Sequence, residues 1–156
     1  MEISPNDSQY EFELIRISTS NSNASYQIES RNPYHKTMFA GIDGQGSHVL
    51  IAIPELNLSA YNYLDFDLLI QQNNGGGNAY IGITSTANLS TGTVWYTDLT
   101  NYVSTSCAQT GVNHLTLDLS TIDKNNLKNA RIYFKVYSAF NSGGIWASPL
   151  KITAYN

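Results

Sequence analysis

Short runs of β-branched and aromatic residues, each closed by a cluster of Gly, Asn or Ser, recur along the whole chain and constrain it to an antiparallel sandwich or barrel. The clearest are Tyr10–Ile17, Lys36–Gly41, His48–Ile53, Tyr63–Gln71, Ala79–Thr84, Thr93–Tyr96, His114–Leu119, Ala130–Ser138 and Leu150–Tyr155. Helical periodicity persists nowhere beyond two turns. The nearest case, Ser120–Asn129, is polar and predicts a one-turn excursion between strands. At 156 residues the chain is long enough to bury one core without disulfides, so residues 1–156 read as a single all-β domain.

Successive side chains of a strand point to opposite faces, so alternation predicts what each strand buries. In Tyr63–Ile70 the inward set is Leu64, Phe66, Leu68 and Ile70, with Tyr63, Asp65 and Asp67 outward. In His114–Leu119 it is Leu115, Leu117 and Leu119, with Thr116 and Asp118 outward. In Arg131–Ser138 it is Ile132, Phe134 and Val136, which sends Arg131, Tyr133, Lys135 and Tyr137 outward. Several strands thus pair a dry face with a wet one, as antiparallel sheets do.

Charge is scarce, at 13% of residues with a net of -4, so the attraction that draws a protein onto nucleic-acid phosphates or an anionic membrane is missing. Asn, Ser and Thr, with eleven Tyr and two Trp, supply neutral hydrogen-bonding groups and aromatic plates instead. The apolar runs are too short to cross a bilayer, and neither a membrane span nor a signal peptide is expected. The single Cys107 forms no internal bridge. Gly gathers in the expected loops GIDGQG (41–46), QQNNGGGN (71–78) and around Gly143 and Gly144, and Ser18–Ser25 reads as a polar loop.

The segments NLSAYNYLDFDLLIQ and GVNHLTLDLSTIDKNNLKNARIYFKVYSA, closed by LKITAY, resemble the core strands of the galactose-binding-like jelly-roll superfamily, to which many carbohydrate-binding modules belong. The resemblance covers roughly two thirds of the chain and contains no catalytic signature, so it speaks for fold more than for function. It implies a two-sheet antiparallel β-sandwich with jelly-roll topology. Modules of this appearance occur in phage distal tail and baseplate adhesion proteins that hold host cell-wall polysaccharide, which implies a virion location and a place in a larger oligomeric tail assembly. Members often carry a structural calcium. Here Asp43 in GIDGQG is the one loop acid in a ligand-like setting, without the further oxygen-bearing side chains of a dense calcium loop, so the expectation is no cofactor, with a structural calcium as the alternative.

A saccharide offers hydroxyls that need paired donors and acceptors, and apolar C–H faces that pack on rings, so its site is an aromatic plate flanked by polar groups. Trp95 with Tyr96, and Trp146, are candidate plates set near loops; the alternative is that they pack in the core. A second candidate is a face joining Tyr63, Asp65 and Asp67 to Tyr133, Lys135 and Tyr137, on the condition that the two strands are near neighbours in one sheet. Its alternative is an ordinary solvated face.

Asp65 and Asp67 also raise a glycosidase pair, but neighbours on one strand approach a ligand from the same side rather than flanking a scissile bond. His35, His48 and His114 lack any short ligand spacing and read as surface or edge residues, and Cys107 lacks a basic neighbour that would activate it. The expected function is non-catalytic binding of bacterial cell-wall or other saccharide, without nucleic acid or membrane insertion. A structural or protein-interaction domain is the alternative, ahead of a glycoside hydrolase.

Overall fold

The computed structural model describes residues 1–3, 13–18, 28–32, 35–40, 48–73, 77–85, 89, 101–138 and 144–156. Among these, eleven strands follow in order: β1 (Glu2–Ile3), β2 (Glu13–Ser18), β3 (Ile28–Asn32), β4 (His35–Ala40), β5 (His48–Ala52), β6 (Tyr63–Asn73), β7 (Gly77–Ser85), β8 (Val103–Cys107), β9 (Gly111–Asp118), β10 (Ala130–Ser138) and β11 (Gly144–Tyr155). All pairings are antiparallel.

One sheet has the order β3-β4-β11-β6-β9, with β1 also pairing β11; the other has the order β2-β5-β10-β7-β8. The run β4-β11-β6-β9 against β5-β10-β7-β8 is the interleaving of a jelly roll, in which the chain crosses repeatedly from one layer to the other. The expected all-β, two-sheet antiparallel sandwich is therefore the architecture observed.

The core lies between the layers and is built by the alternation read above. Leu64, Phe66, Leu68 and Ile70 of β6 face Ile132, Phe134 and Val136 of β10, all 1% exposed or less. Phe66 and Phe134 meet edge to face across the layers, with ring centroids 6.0 Å apart and planes at 82°. Leu117 and Leu119 are buried as expected, and Leu115 is partly buried against the same cluster.

Four strands depart from the expected runs: β1 and β3 match none of those named above, and β8 and β11 differ for identifiable reasons. β8, Val-Ser-Thr-Ser-Cys, has no large apolar residue to announce it and exists through its pairing with β7, alternating half-buried with exposed positions. β11 begins at Gly144 although Pro149 lies within it. The register against β6 shifts between Pro149 and Lys151, and a bulge is where a strand tolerates proline. The extra residue also restores phase, so Ile145 and Ala147 before it and Ile152 and Ala154 after it all reach the core. Ser120–Asn129 forms turns between β9 and β10, and the expected run Thr93–Tyr96 lies outside the described residues.

The outward assignment for β10 requires correction. Arg131, Tyr133 and Lys135 are buried, at 6%, 2% and 9% exposure, and Tyr137 is half-buried. They do leave the main core, but the outer face of their sheet is itself covered: Tyr133 joins Leu50, Ala52 and Leu89 in a second apolar cluster. Room for the ring comes from Gly82, opposite Tyr133 on β7, where any Cβ would collide with the ring and hydroxyl of Tyr133. Arg131 Nε donates to the carbonyl of Ile53 (2.9 Å), and the Lys135 ammonium lies 4.3 Å from the ring centre of Tyr80.

Candidate functional site

The outer face of the six-stranded sheet is the wet one. Registry places its outward residues in rows across three strands: Asp118, Tyr63 and Tyr155; then Thr116, Asp65 and Thr153; then His114, Asp67 and Lys151. Each strand contributes alternate residues because the intervening ones fill the core.

In the first row Tyr63 and Tyr155 stack, with centroids 5.5 Å apart and planes inclined by 29°. Tyr155 remains 39% exposed and is among the few large apolar side chains left to solvent in the described residues. Its hydroxyl donates to Asp65 Oδ1 (3.2 Å), and Thr116 Oγ1 donates to the same oxygen (2.6 Å). Partial desolvation, followed by that bond to the Asp65 carboxylate, holds the Tyr155 phenol above the usual tyrosine range. One row on, His114 Nδ1 lies 2.6 Å from Asp67 Oδ1. Both carboxylates are thus oriented through Oδ1, and no described residue donates to either Oδ2. Asp65, Asp67, Lys151 and Thr153 line a depression of about 170 Å³ on this face.

The chemistry available here is recognition. Carboxylate oxygens accept, Thr153 both donates and accepts, Lys151 donates, and the tyrosine pair offers an apolar surface beside them. Asp65 and Asp67 rise from one face of one strand, so they meet a ligand from the same side, and the opposed flanking of a glycosidase pair is not formed by these two groups.

The expected site residues separate. Tyr63, Asp65 and Asp67 stand together on β6 of this face. Tyr133 and Lys135 do not join them: β10 belongs to the other sheet, the two strands lie in opposite layers, and the condition on which the joint face depended is not met. Trp146 is half-buried between the fully buried Ile145 and Ala147 of β11, so it lies on the same outer face as Asp65, opposite Gln71. Gln71 and Tyr63 are eight positions apart on β6, which puts Trp146 roughly 27 Å from the tyrosine pair. Trp95, Tyr96 and Asp43 lie outside the described residues. Among the described residues no three His, Cys, Asp or Glu side chains gather in a group that could hold a metal. His114 sits on an edge strand as expected, and half-buried Cys107 ends β8 with its thiol pushed up by burial, the opposite of nucleophilic activation.

Lys151, Thr153, Tyr155 and His114 were absent from the expected binding set. The signal for the first three was present in LKITAY, whose Ile152 and Ala154 alternate with Lys151, Thr153 and Tyr155, and that for His114 in the alternation of His114 and Thr116 with Leu115 and Leu117. What the sequence lacked was the pairing of β11 and β9 with β6, a contact between distant segments.

No protein-family model and no curated protein matches the chain. Solved structures do. The Spr0440 glycoside hydrolase domain, Endo-D from Streptococcus pneumoniae R6, is 8% identical with a TM-score of 0.51, over 89% of this chain and 21% of that one. TmCBM61 in complex with beta-1,4-galactotriose is 12% identical with a TM-score of 0.48, over 89% of this chain and 87% of that one. TmCBM27, a carbohydrate-binding module described for specific mannan recognition, is 9% identical with a TM-score of 0.46, over 100% of this chain and 96% of that one. This chain spans about a fifth of the Endo-D domain, and at such identities what is shared is the fold, a two-layer β-sandwich.

Proposed function

We propose that this protein binds saccharide without transforming it, through the outer face of the six-stranded sheet. The observation that carries the proposal is the stacked Tyr63–Tyr155 pair set directly beside Asp65, whose Oδ1 is already held by Tyr155 and Thr116. A sugar ring lying on the tyrosines brings its hydroxyls to the carboxylates, Thr153 and Lys151 lining the adjacent depression. Trp146, far along the same face, supplies a second plate for a ligand of several rings. Residues 1–156 act as one binding domain, and Trp95 and Tyr96 remain candidate plates from sequence.

The finer reading is an adhesion domain of a phage tail that holds bacterial cell-wall polysaccharide, and the resemblance of the β6, β9–β10 and β11 segments to modules of that kind supports it. A single site of this exposure gives an affinity of about millimolar to micromolar, and multivalent display raises it. The test is calorimetry and affinity electrophoresis against a panel of purified cell-wall polysaccharides and neutral glycans, with release of reducing ends followed in parallel. Retention by at least one polysaccharide, no release of sugar, and about tenfold or greater weakening in Tyr155→Ala and Asp65→Asn are expected. No retention by any polysaccharide, or full retention by Tyr155→Ala, overturns the proposal.

A further inference from the structure

The ends of the two sheets are not protected alike. Edge strands present unpaired N–H and C=O groups, and proteins blunt them with charges, prolines or bulges. β2 carries Glu13 and Arg16 and shifts register between Leu14 and Arg16; β3 carries Glu29 and Arg31 and shifts register between Glu29 and Asn32. On the opposite side, β8 and β9 form the other two edges and pair inward without register shifts. From Val103 to Asp118 there is no Lys, Arg or Pro.

We propose that two copies of this chain join edge to edge through β9, in an antiparallel pair centred on Thr116. The phase of the strand is set by Leu119 N, which donates to the Asn62 carbonyl (2.7 Å) and so directs the odd-numbered residues of β9 toward β6. His114, Thr116 and Asp118 therefore turn their backbone donors and acceptors to the open edge. None of the described residues pairs with them there.

A two-fold axis at Thr116 sets Thr116 opposite its own copy and each His114 opposite Asp118 of the second copy. With the imidazole protonated, these are a threonine pair and an opposite-charge pair, both of which favour antiparallel neighbours. On the inner face it sets partly buried Leu115 opposite Leu117 of the second copy, which covers Leu115. His114 already donates to Asp67 through Nδ1 and its side chain is 78% exposed, so once the imidazole is protonated its Nε2–H donates to the second carboxylate. Registers that centre on Leu115 or His114 instead oppose Asp118 to Val112 or His114 to itself, so the pairing of protonated His114 with Asp118 selects the register centred on Thr116.

The axis stands perpendicular to the extended sheet, so both wet faces look the same way. This consequence rests on the saccharide reading; the pairing itself does not. Two sites on one surface of a joined sheet grip a repeating polymer together. An interface of one short strand is small, and association on the order of 0.1 mM is expected.

Sedimentation of the protein alone in mildly acidic buffer, where histidine is protonated, from about 10 µM to about 1 mM and without saccharide, tests the pairing independently of saccharide binding. The mass is expected to climb from one chain toward two. Asp118→Lys weakens association at least about tenfold, and the exchange His114→Asp with Asp118→His restores it. Thr116→Pro removes a donor from the open edge while the ladder to β6 keeps its own bonds, so it abolishes pairing in a chain whose circular dichroism stays native. A mass of one chain throughout, a dimer untouched by both Asp118→Lys and Thr116→Pro, or an exchange that fails to restore pairing each overturns the proposal; the first leaves the edge to a strand of another protein or to solvent.

Discussion

The two layers use the same alternation to opposite ends on their outer faces. On the six-stranded sheet, β6, β9 and β11 put Tyr63, Asp65, Asp67, His114, Lys151 and Tyr155 toward water, with Asp67 bonded to His114, Asp65 to Thr116 and Tyr155, and Tyr63 stacked on Tyr155. On the five-stranded sheet, β10 and β7 put Arg131, Tyr133, Lys135 and Gly82 under a cover that includes Leu89. A strand that alternates apolar with polar residues thus announces two faces, and only a further layer of chain decides whether the polar one is wet. Where it is covered, the polar groups are matched one by one, and the Tyr133 phenol is pushed up to about 12 by that burial.

The contrast predicts that substitutions on the covered face cost stability, whereas those on the open face cost binding. The largest loss is expected for Tyr133→Ala, about 3 to 5 kcal/mol by chemical denaturation, because it empties the second apolar cluster. Gly82→Ala follows, at about 2 to 3 kcal/mol, since the new methyl displaces the Tyr133 ring. A loss below about 0.5 kcal/mol in either would erase the distinction between the faces.

Alkali sharpens the comparison. A phenol raised from 10.0 to about 12 in the fold favours the folded state fully below pH 10, and that contribution is lost as pH rises toward 12. The stability difference between the wild type and Tyr133→Phe should be flat below about pH 10 and then fall by roughly 2 to 3 kcal/mol. Lys135, whose amine burial pushes down, acts in the opposite sense, since its penalty is relieved on approach to 10.5, so the Tyr133→Phe difference is the informative quantity. Smallest of all, Asp67→Asn on the open face should change stability by less than about 0.5 kcal/mol while weakening saccharide binding, measured by denaturation and calorimetry on the same preparation.

Much of this was legible in the chain. The inward residues of β6 and β10 follow from period-two alternation, because a one-residue slip would bring Asp65 and Asp67, or Arg131 and Lys135, into the core; which layer each strand joins does not follow from it. Trp146 came from its aromatic character, and its flanking Ile145 and Ala147 fix the face it occupies. Tyr133 and Lys135 were misplaced because alternation carries no information about a covering segment distant in sequence. β8 was missed because serines and threonines at an edge announce no burial, and the start of β11 because a proline inside a strand argues against it unless a bulge receives it. The partners of Asp65, namely Thr116 and Tyr155, stood 51 and 90 positions away, and only the sheet order brings them together.

Amide chemical-shift mapping during titration with a bound polysaccharide fragment reports whether ligand meets the open face of the six-stranded sheet. Perturbations are expected at Tyr63, Asp65, Asp67, His114, Thr116, Lys151, Thr153 and Tyr155, reaching Trp146 as the fragment lengthens, with β7 and β10 silent. Perturbations centred on Tyr80, Tyr133 and Lys135, with the face around Asp65 unmoved, would contradict binding on that face.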